Sequence, residues 1–342
     1  MGETLLQVKD LRVSYDTYAG EVQSVRGVSF EVDAGETLAI VGESGCGKSV
    51  TAKSIMGLIM DPGQIKKGSQ ILFDGVNILD MTPKELRAYR GEKCAMIFQD
   101  ALTSLDPTMK VGKQIAEVLR VHGRAGKAEA AAKAVELLRR VGIPNPEIRA
   151  QEYPHQFSGG MRQRAMIATA LACDPRLLIA DEPTTALDVT IQAQIIDLMK
   201  RLQAETGAAI VLITHDLGVV AGIAQRIAVM YSGLIVERGR AEDIFYQPRH
   251  PYTWSLLRAV PRLDLKNKQE LATIEGTPPD LLAPPAGCPF CTRCKYCMPI
   301  CKEEAPPCAD FGSGHQASCW LHDPRAPGVD MPDITEKEAE QP

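Results

Sequence analysis

A glycine-rich segment of eight residues has the composition of a phosphate-binding loop. Its residues are Gly42, Glu43, Ser44, Gly45, Cys46, Gly47, Lys48 and Ser49. Glycines at this spacing allow backbone N–H groups to face phosphate oxygens. A lysine in the seventh position can reach the β- and γ-phosphates, and the serine hydroxyl that follows can bind Mg²⁺. The segment therefore predicts a site for a nucleoside triphosphate.

A second segment supplies two adjacent carboxylates. The apolar run Leu177–Ala180 is followed directly by Asp181 and Glu182. Asp181 is placed to hold Mg²⁺, directly or through water. Glu182 can polarise a water for attack on the γ-phosphate. Many strands end in acidic residues, so this pattern alone is weak evidence, but combined with the glycine-rich loop it predicts nucleotide hydrolysis.

Alternating strands and helices are predicted to position these groups. Thr37–Val41 has the pattern of a buried strand that stops at the loop, and Ser49–Met60 has that of the helix that follows. Leu177–Ala180 and Ala209–Ile213 are predicted strands, with the helix Ile191–Glu205 between them. This alternation predicts an α/β fold with a largely parallel sheet.

Two regions depart from the alternation. Near the N-terminus, Leu5–Val8 and Val28–Val32 have the β-branched composition of strands. In the middle of the chain, Val111–Val121 and Lys127–Val141 carry apolar residues at helical spacing, which predicts a helical insertion. After about residue 240 many prolines interrupt any long element, which indicates an appended extension.

Composition excludes several classes of protein. The 342 residues include 38 Lys and Arg against 43 Asp and Glu, a net charge of −5, and 45% are hydrophobic. That apolar content excludes a wholly disordered chain, and the mild acidity argues against a dedicated nucleic-acid binder. The most apolar runs, Ala208–Ile213 and Leu217–Ala224, are too short to span a membrane. The first ten residues lack the apolar core of a secretory signal, which predicts a cytosolic protein unless something holds it at a membrane.

A segment beginning at Phe157 resembles the signature motif of ABC ATPases. Ser158, Gly159, Gly160 and Met161 form its centre, and Phe157 and Met161 replace the commoner leucine and glutamine. The resemblance implies that these residues contact the ATP of a partner chain, because ABC domains pair head-to-tail with two ATPs between them. A second ATPase subunit, identical or homologous, is therefore expected.

Further positions resemble the family's other motifs in the same order. Gln99 is similar to the Q-loop glutamine, Thr185–Asp188 to the D-loop and His215 to the switch histidine. Tyr15 stands where the family places an aromatic residue that stacks on adenine, although Tyr18 is close by. The resemblance implies catalytic roles for Glu182 and His215. It also implies ATP binding by Tyr15, Gln99 and the glycine-rich loop, a D-loop role for Asp188, and Mg²⁺ binding by Ser49, Gln99 and Asp181.

The resemblance narrows to the ATP-binding subunits of oligopeptide and dipeptide importers. The segments that carry it are Phe98–Pro107, Pro248–Thr253, Gly276–Asp280, Gly287–Phe290 and Arg293–Cys294. It implies a peripheral protein on the cytoplasmic face of the membrane. There it would couple ATP binding and hydrolysis to peptide uptake through two transmembrane permease subunits, which an extracytoplasmic peptide-binding protein supplies.

Two alternative functions are open at this stage. One is an importer ATPase for another solute such as nickel, although the long extension favours peptides. The other is a soluble ABC ATPase that acts on ribosomes or DNA. Such proteins usually carry two ATPase domains, whereas this chain has one phosphate loop and one signature motif.

The family fold also implies a domain organisation. An ABC-type P-loop ATPase domain is expected over residues 1–240, with a mainly parallel core sheet, an N-terminal antiparallel β subdomain and a helical subdomain over about residues 100–170. A Cys-rich C-terminal extension is expected over residues 241–323. Residues 324–342 are predicted to be a flexible tail.

Seven of the ten cysteines lie close together in this extension, and they allow more than one site. They are Cys288, Cys291, Cys294, Cys297, Cys301, Cys308 and Cys319. One set resembles the [4Fe–4S] ligands of some dipeptide-importer ATPases and consists of Cys288, Cys294, Cys301 and Cys319. A second has the spacing of a bacterial ferredoxin, although Lys302 replaces the usual proline, and consists of Cys291, Cys294, Cys297 and Cys301. A zinc site and free thiols are the remaining alternatives, and a cluster would fasten an extension that lacks its own core.

Overall fold

The computed structural model describes residues 3–185, 187–260 and 274–329. The strands are β1 (Thr4–Thr17), β2 (Gly20–Asp33), β3 (Thr37–Val41), β4 (Gly63–Ile65), β5 (Gln70–Phe73), β6 (Val76–Asn77), β7 (Cys94–Ile97), β8 (Leu177–Asp181), β9 (Ala209–Thr214), β10 (Arg226–Tyr231), β11 (Leu234–Arg240), β12 (Cys308–Asp310) and β13 (Gln316–Ser318). The α-helices are α1 (Lys48–Ile55), α2 (Pro83–Glu92), α3 (Ala101–Ser104), α4 (Val111–Val121), α5 (Lys127–Arg140), α6 (Pro146–Arg149), α7 (Gly159–Ala170), α8 (Val189–Thr206), α9 (Leu217–Ala221), α10 (Ala241–Tyr246), α11 (Pro251–Arg258) and α12 (Pro299–Glu303). Short 3₁₀ turns lie at Ile78–Asp80, Pro154–Gln156 and Trp320–His322.

The N-terminal sheet is antiparallel, as the family resemblance implied. Its strand order is β2-β1-β5-β6, and β4 pairs with β1. Strands β1 and β2 are longer than the predicted Leu5–Val8 and Val28–Val32. Their pairing shifts register between Val8 and Leu11, and the strands continue past this irregularity, beyond the β-branched runs on which the prediction rested.

The core sheet carries the parallel strands. Among the described residues its order is β12-β13-β11-β10-β3-β9-β8-β7, and the strands from β10 to β7 run parallel. Every residue of β3, β8 and β9 is buried, as expected for strands covered on both faces. Only β9 separates β3 from β8, so the segments that follow these two strands meet at one edge of the sheet.

Helices α4, α5 and α7 pack on one another, and α7 also contacts strand β7 at the edge of this sheet. Helix α4 buries Val111, Ile115 and Leu119, which recur at helical spacing. These side chains join a hydrophobic cluster that also contains Leu138 of α5 and Ile167 of α7. The apolar periodicity therefore predicted the helices of this segment, and α4 has the predicted bounds.

The extension continues the core sheet at its opposite edge. Strand β13 pairs antiparallel with β11, and β12 pairs with β13. Cys288, Phe290 and Cys301 share a hydrophobic cluster with Tyr231 of β10 and Tyr252 of α11. The apolar side chains of the extension thus pack on the ATPase strands. Most of the predicted flexible tail, residues 330–342, lies outside the described residues.

Helix α1 is shorter than the predicted Ser49–Met60. It ends at Ile55, with Met56 as its C-cap. Gly57 follows with a φ of 63°, a left-handed conformation that ends helices. The residues after it turn into β4 instead of extending the helix.

Candidate active site

The glycine-rich loop joins the end of β3 to the start of α1. A Cβ at Gly42 would lie 2.1 Å from the Met230 carbonyl oxygen, and one at Gly47 would lie 2.4 Å from that of Ser24. Gly47 also has a φ of 105° at the N-cap of α1. Only glycine fits these two positions, because the neighbouring backbone approaches so closely. The loop is therefore held in a fixed curve at the helix N-terminus, where anions bind favourably.

Lys48 directs its ammonium group into this curve. The residue is only 4% exposed. Its Nζ donates hydrogen bonds to the carbonyl oxygens of Gly42, at 2.7 Å, and Glu43, at 2.8 Å. The two carbonyls thus orient the Lys48 side chain towards an anion placed in the loop.

Ser49 and Asp181 meet across the sheet edge. The Ser49 hydroxyl donates to Oδ1 of Asp181 at 2.9 Å. Burial raises the pKa of Asp181, and the hydrogen bond from Ser49 opposes that change. Oxygen ligands of these two types are those that Mg²⁺ prefers. The structure thus brings together two of the three predicted magnesium ligands.

Glu182 lies at the centre of a second group of predicted residues. Its Oε2 accepts hydrogen bonds from Nε2 of Gln99 and from Oγ1 of Thr185, both at 2.9 Å. Nδ1 of His215 is 3.5 Å from Oε1 of the same carboxylate. The backbone of Glu182 has a φ of 46°, which is uncommon for a residue other than glycine. Sequence reasoning placed Thr185 in the D-loop but assigned it no contact with Glu182.

The signature residues lie beside the D-loop. Ser158 is the N-cap of α7, and its Oγ accepts from the Met161 N–H at 3.3 Å. A Cβ at Gly160 would lie 3.0 Å from Ile191 on α8. Asp188 caps that helix by accepting from the Ile191 N–H at 2.9 Å. Ser158, Gly159 and Asp188 are exposed, so this helix N-terminus presents an open surface.

Tyr15 and Tyr18 have different surroundings. Tyr15 lies in β1 between Val22 and Gly63, and it is partly buried against the core. A Cβ at Gly63 would lie 2.7 Å from its ring, so the ring covers that backbone. Tyr18 is fully exposed.

Comparisons with known proteins agree with this geometry. A model of the ABC transporter family matches residues 25–185, and a model of the oligopeptide/dipeptide transporter C-terminal region matches residues 236–301. The chain is 57% identical over 330 residues to the oligopeptide transport ATP-binding protein OppD of Bacillus subtilis, covering 96% of this chain and 92% of the relative. It is 56% identical over 328 residues to the dipeptide transport ATP-binding protein DppD of Lactococcus lactis, covering 96% and 93%. The chain belongs to the oligopeptide and dipeptide family of ABC transporter ATPases.

Solved structures of ABC cassettes share the fold. One is the ATP-binding cassette MJ0796 in a dimeric post-hydrolysis state bound to ADP and phosphate. It has a TM-score of 0.62 and 27% identity, covering 69% of this chain and 99% of that one. Another is cbiO1 from Clostridium perfringens, with a TM-score of 0.60 and 29% identity over 72% and 92% of the chains. The predicted ABC-type α/β fold and the predicted ATPase activity are therefore confirmed.

ATP and Mg²⁺ are the substrate and the ion of this ABC family, and the residues present fit both. The glycine curve and Lys48 suit a triphosphate, while Ser49 and Asp181 suit the ion. Within the part of the chain that the structure describes, every helix is too short or too polar to cross a bilayer.

The predicted [4Fe–4S] site is not supported by this structure. Among the described residues, no group of three or more His, Cys, Asp or Glu side chains is arranged to hold a metal ion. All ten cysteines are free thiols. Burial raises the pKa of Cys288 and Cys319 to about 12, and that of Cys294 to about 11.

Two residues of the extension reach the phosphate loop, and sequence reasoning assigned neither a role. Arg293 forms an ion pair with Glu43, and the Tyr252 hydroxyl accepts a hydrogen bond from the Glu43 backbone N–H at 2.9 Å. Arg293 stands 250 positions from Glu43 in the chain, and no local pattern connects them.

Proposed function

We propose that this chain is the ATP-hydrolysing motor subunit of a membrane importer for dipeptides and oligopeptides. The convergence of Gln99 and His215 on Glu182, beside the Ser49–Asp181 pair, carries the proposal that it hydrolyses ATP. The peptide cargo is supported by relatives of more than 50% identity that are named for oligopeptide or dipeptide transport. No observation favours nickel or a soluble role on ribosomes or DNA.

For nucleotide binding, we assign the phosphates to the loop from Gly42 to Ser49. Lys48 would contact the β- and γ-phosphates, and Tyr15 would stack on adenine. Ser49, Asp181 and Gln99 would hold Mg²⁺, which neutralises charge on the phosphates. Nε2 of Gln99 bonds to Glu182, which leaves its Oε1 as the oxygen available to the ion.

For hydrolysis, we assign Glu182 as the group that polarises the attacking water. Its carboxylate follows β8 directly after Asp181, so it faces the phosphate side of the sheet edge. Gln99 and Thr185 hold Oε2, which fixes the orientation of the carboxylate. Nδ1 of His215 lies 3.5 Å from Oε1, the other oxygen of Glu182. The imidazole can stabilise the negative charge that develops on the phosphate oxygens during hydrolysis.

The complete site would need two chains. The N-terminus of α7 is exposed, with Ser158 as its N-cap and Gly159, Gly160 and Met161 in its first turn, and helix N-termini bind anions favourably. In a head-to-tail pair it would contact the ATP bound to the partner, which is an identical or homologous ATPase subunit. Asp188 caps α8 beside the signature and would lie along the same interface.

Transport would require membrane subunits. The pair would dock on two transmembrane permease subunits at the cytoplasmic face of the membrane, and an extracytoplasmic peptide-binding protein would deliver peptides. ATP binding would close the pair and shift the population of permease conformations, and hydrolysis would reset it.

Uptake of labelled peptides tests the transport function. In cells that lack the chain, the wild-type protein should restore uptake of labelled di- and oligopeptides, whereas Glu182→Gln should not. Restored uptake of nickel with no gain in peptide uptake would contradict the proposed cargo.

The iron–sulfur cluster stays a separate hypothesis. It is supported by the cysteine spacing. Burial is the main cause that raises the pKa of Cys288, and the nearby thiols of Cys319, Cys301 and Cys294 raise it further, so the four thiols lie near one another. Anaerobic purification with iron, sulfide and zinc analysis tests it. About four irons and four sulfides per chain would support a cluster, and their absence would leave the thiols a structural role. Cys319→Ser should abolish the chromophore for the importer-type set, and Cys297→Ser for the ferredoxin-type set.

A further inference from the structure

The C-terminal extension contacts the phosphate loop through a bidentate ion pair. Arg293 donates from Nη2 to Oε1 of Glu43 at 2.9 Å, and from Nη1 to Oε2 at 2.5 Å. The Arg293 side chain is 3% exposed and that of Glu43 is 26% exposed. Two parallel hydrogen bonds from a planar guanidinium fix both the distance and the plane of the carboxylate.

The guanidinium of Arg293 is itself held by fixed groups. Nε donates to the Glu275 carbonyl at 2.9 Å, and Nη2 donates to that of Ile274 at 3.0 Å. Nη1 also donates to the Tyr231 hydroxyl at 3.2 Å. The guanidinium of Arg293 is therefore anchored by three groups besides Glu43.

Tyr252 adds a second attachment at the same loop residue. Its hydroxyl accepts from the Glu43 backbone N–H at 2.9 Å. The ring is buried, and its centroid lies 4.5 Å from that of Tyr231 and 5.3 Å from that of Phe290. The region after β11 therefore holds both the side chain and the backbone N–H of Glu43.

The same loop residue also holds the phosphate-binding lysine. The Glu43 carbonyl accepts from Nζ of Lys48 at 2.8 Å, next to the Gly42 carbonyl at 2.7 Å. A displacement of Glu43 therefore displaces one of the two oxygens that orient the lysine. Hydrogen bonds link Arg293, Glu43 and Lys48 in series, from the extension to the predicted phosphate position.

We propose that Arg293 is a positioning residue for nucleotide binding. Acting through Glu43, it holds the phosphate loop and Lys48 in a binding-competent shape, so affinity for ATP depends on the docked extension. The inference rests on the proposal that this loop binds ATP. Glu43 occupies a position where phosphate loops accept any residue, so the contact is additional to the general chemistry of such loops.

The test is an equilibrium titration of the full chain with a fluorescent ATP analogue, paired with thermal unfolding. Arg293→Ala should weaken nucleotide affinity about tenfold, in the range of couplings between sites. Glu43→Gln removes the charge and one of the two acceptor oxygens, and should also weaken affinity. The double variant should bind no more weakly than Arg293→Ala, because without Arg293 the side chain at position 43 has lost its guanidinium partner. Arg293→Lys should be intermediate, since it keeps the charge and loses the bidentate geometry.

Two control variants separate positioning from general loosening of the extension. Arg325 also pairs with a carboxylate of the extension, Asp323, but it is 87% exposed, and Arg325→Ala should keep wild-type affinity. Gln316→Ala removes the acceptor of two hydrogen bonds from Arg238, at 2.9 and 2.6 Å, and loosens β13 without touching the loop. Its nucleotide affinity should also stay at the wild-type value.

Two results would overturn the proposal. One is an Arg293→Ala protein that unfolds at a lower temperature yet binds nucleotide as the wild type does. The other is a Gln316→Ala protein that loses as much affinity as Arg293→Ala. If Arg293→Ala fails to fold, Glu43→Gln and Arg293→Lys carry the same comparison. Lys48→Ala in the same titration tests the loop itself, since unchanged affinity there would refute the nucleotide site and not only the role of Arg293.

Discussion

The nucleotide site and the cysteine-rich extension both contain clusters of reactive side chains, but the structure arranges them differently. In the nucleotide site, Ser49 meets Asp181 at 2.9 Å, and Gln99 meets Glu182 at the same distance. In the extension, the described cysteines form no metal-binding group. The first site sits on strand ends that a parallel sheet must bring together. The second depends on loops, and the spacing of the cysteines along the sequence does not determine how those loops are arranged.

The two regions are nevertheless joined at Glu43. Glu43 lies in the phosphate loop, the motif that the sequence pattern identifies most directly. Its partners Arg293 and Tyr252 lie in the extension, the region that sequence patterns describe least. A substitution in the extension should therefore change nucleotide binding only if it disturbs the contacts of Arg293 or Tyr252 with Glu43.

Among the effects on binding and stability, the largest should come from the phosphate loop. Lys48→Ala removes the buried ammonium and should weaken ATP affinity about 10- to 100-fold, as expected for the loss of hydrogen bonds to a charged group. A titration with a fluorescent ATP analogue measures it. Affinity equal to that of the wild type would show that this loop is not the nucleotide site.

An effect of intermediate size should come from the extension, where a buried histidine makes the free energy of unfolding depend on pH. His250 is 1% exposed, and its Nδ1 accepts from the Tyr252 N–H at 3.0 Å. Burial, with a smaller effect of His322, lowers the pKa of His250 from 6.5 to about 3. Below pH 6.5 the unfolded chain binds a proton that the folded chain does not, so stability is lost as pH falls from 6.5 towards 3. At pH 5 the loss is about 2 kcal/mol.

His250→Asn isolates that contribution, because asparagine can still cap α11 but does not titrate. Between pH 8 and pH 5, denaturant unfolding should show the wild type losing about 2 kcal/mol more than the variant. Equal losses in the two proteins would show that His250 is not held neutral by the fold.

The smallest effect should come from a helix cap near the signature motif. Asp188→Ala removes the acceptor of the Ile191 N–H and should cost about 1 kcal/mol in the free energy of unfolding. Asp188→Asn keeps a cap and should stay close to the wild type. A larger loss in the asparagine variant than in the alanine variant would rule out the cap as the source of stability.

Sequence patterns predicted elements whose signals are local. Thr37–Val41 is a strand with the predicted bounds, since an uninterrupted apolar run is typical of a strand buried on both faces. Val111–Val121 is a helix with the predicted bounds. The helix predicted to reach Met60 ends at Ile55, because the left-handed Gly57 ends it before the apolar residues do.

Long-range contacts were not predictable in this way. Arg293 stands among cysteines, where its neighbours suggest metal chemistry rather than a bond to Glu43. Thr185 contacts Glu182 only because the backbone turns at Glu182 with a positive φ, which a Glu-Pro-Thr-Thr sequence does not indicate. Such contacts depend on how distant elements pack against one another, and local sequence patterns do not indicate that packing.

The most direct test of the central claim compares ATP binding with ATP hydrolysis in the wild type and in Glu182→Gln. Both proteins are titrated with ATP and then assayed for phosphate release. The account predicts equal binding and a fall in turnover of about 10²- to 10⁴-fold, because the substitution removes the group that polarises water and keeps the shape of the site. Wild-type turnover in Glu182→Gln would contradict the assignment of this site as the hydrolytic centre.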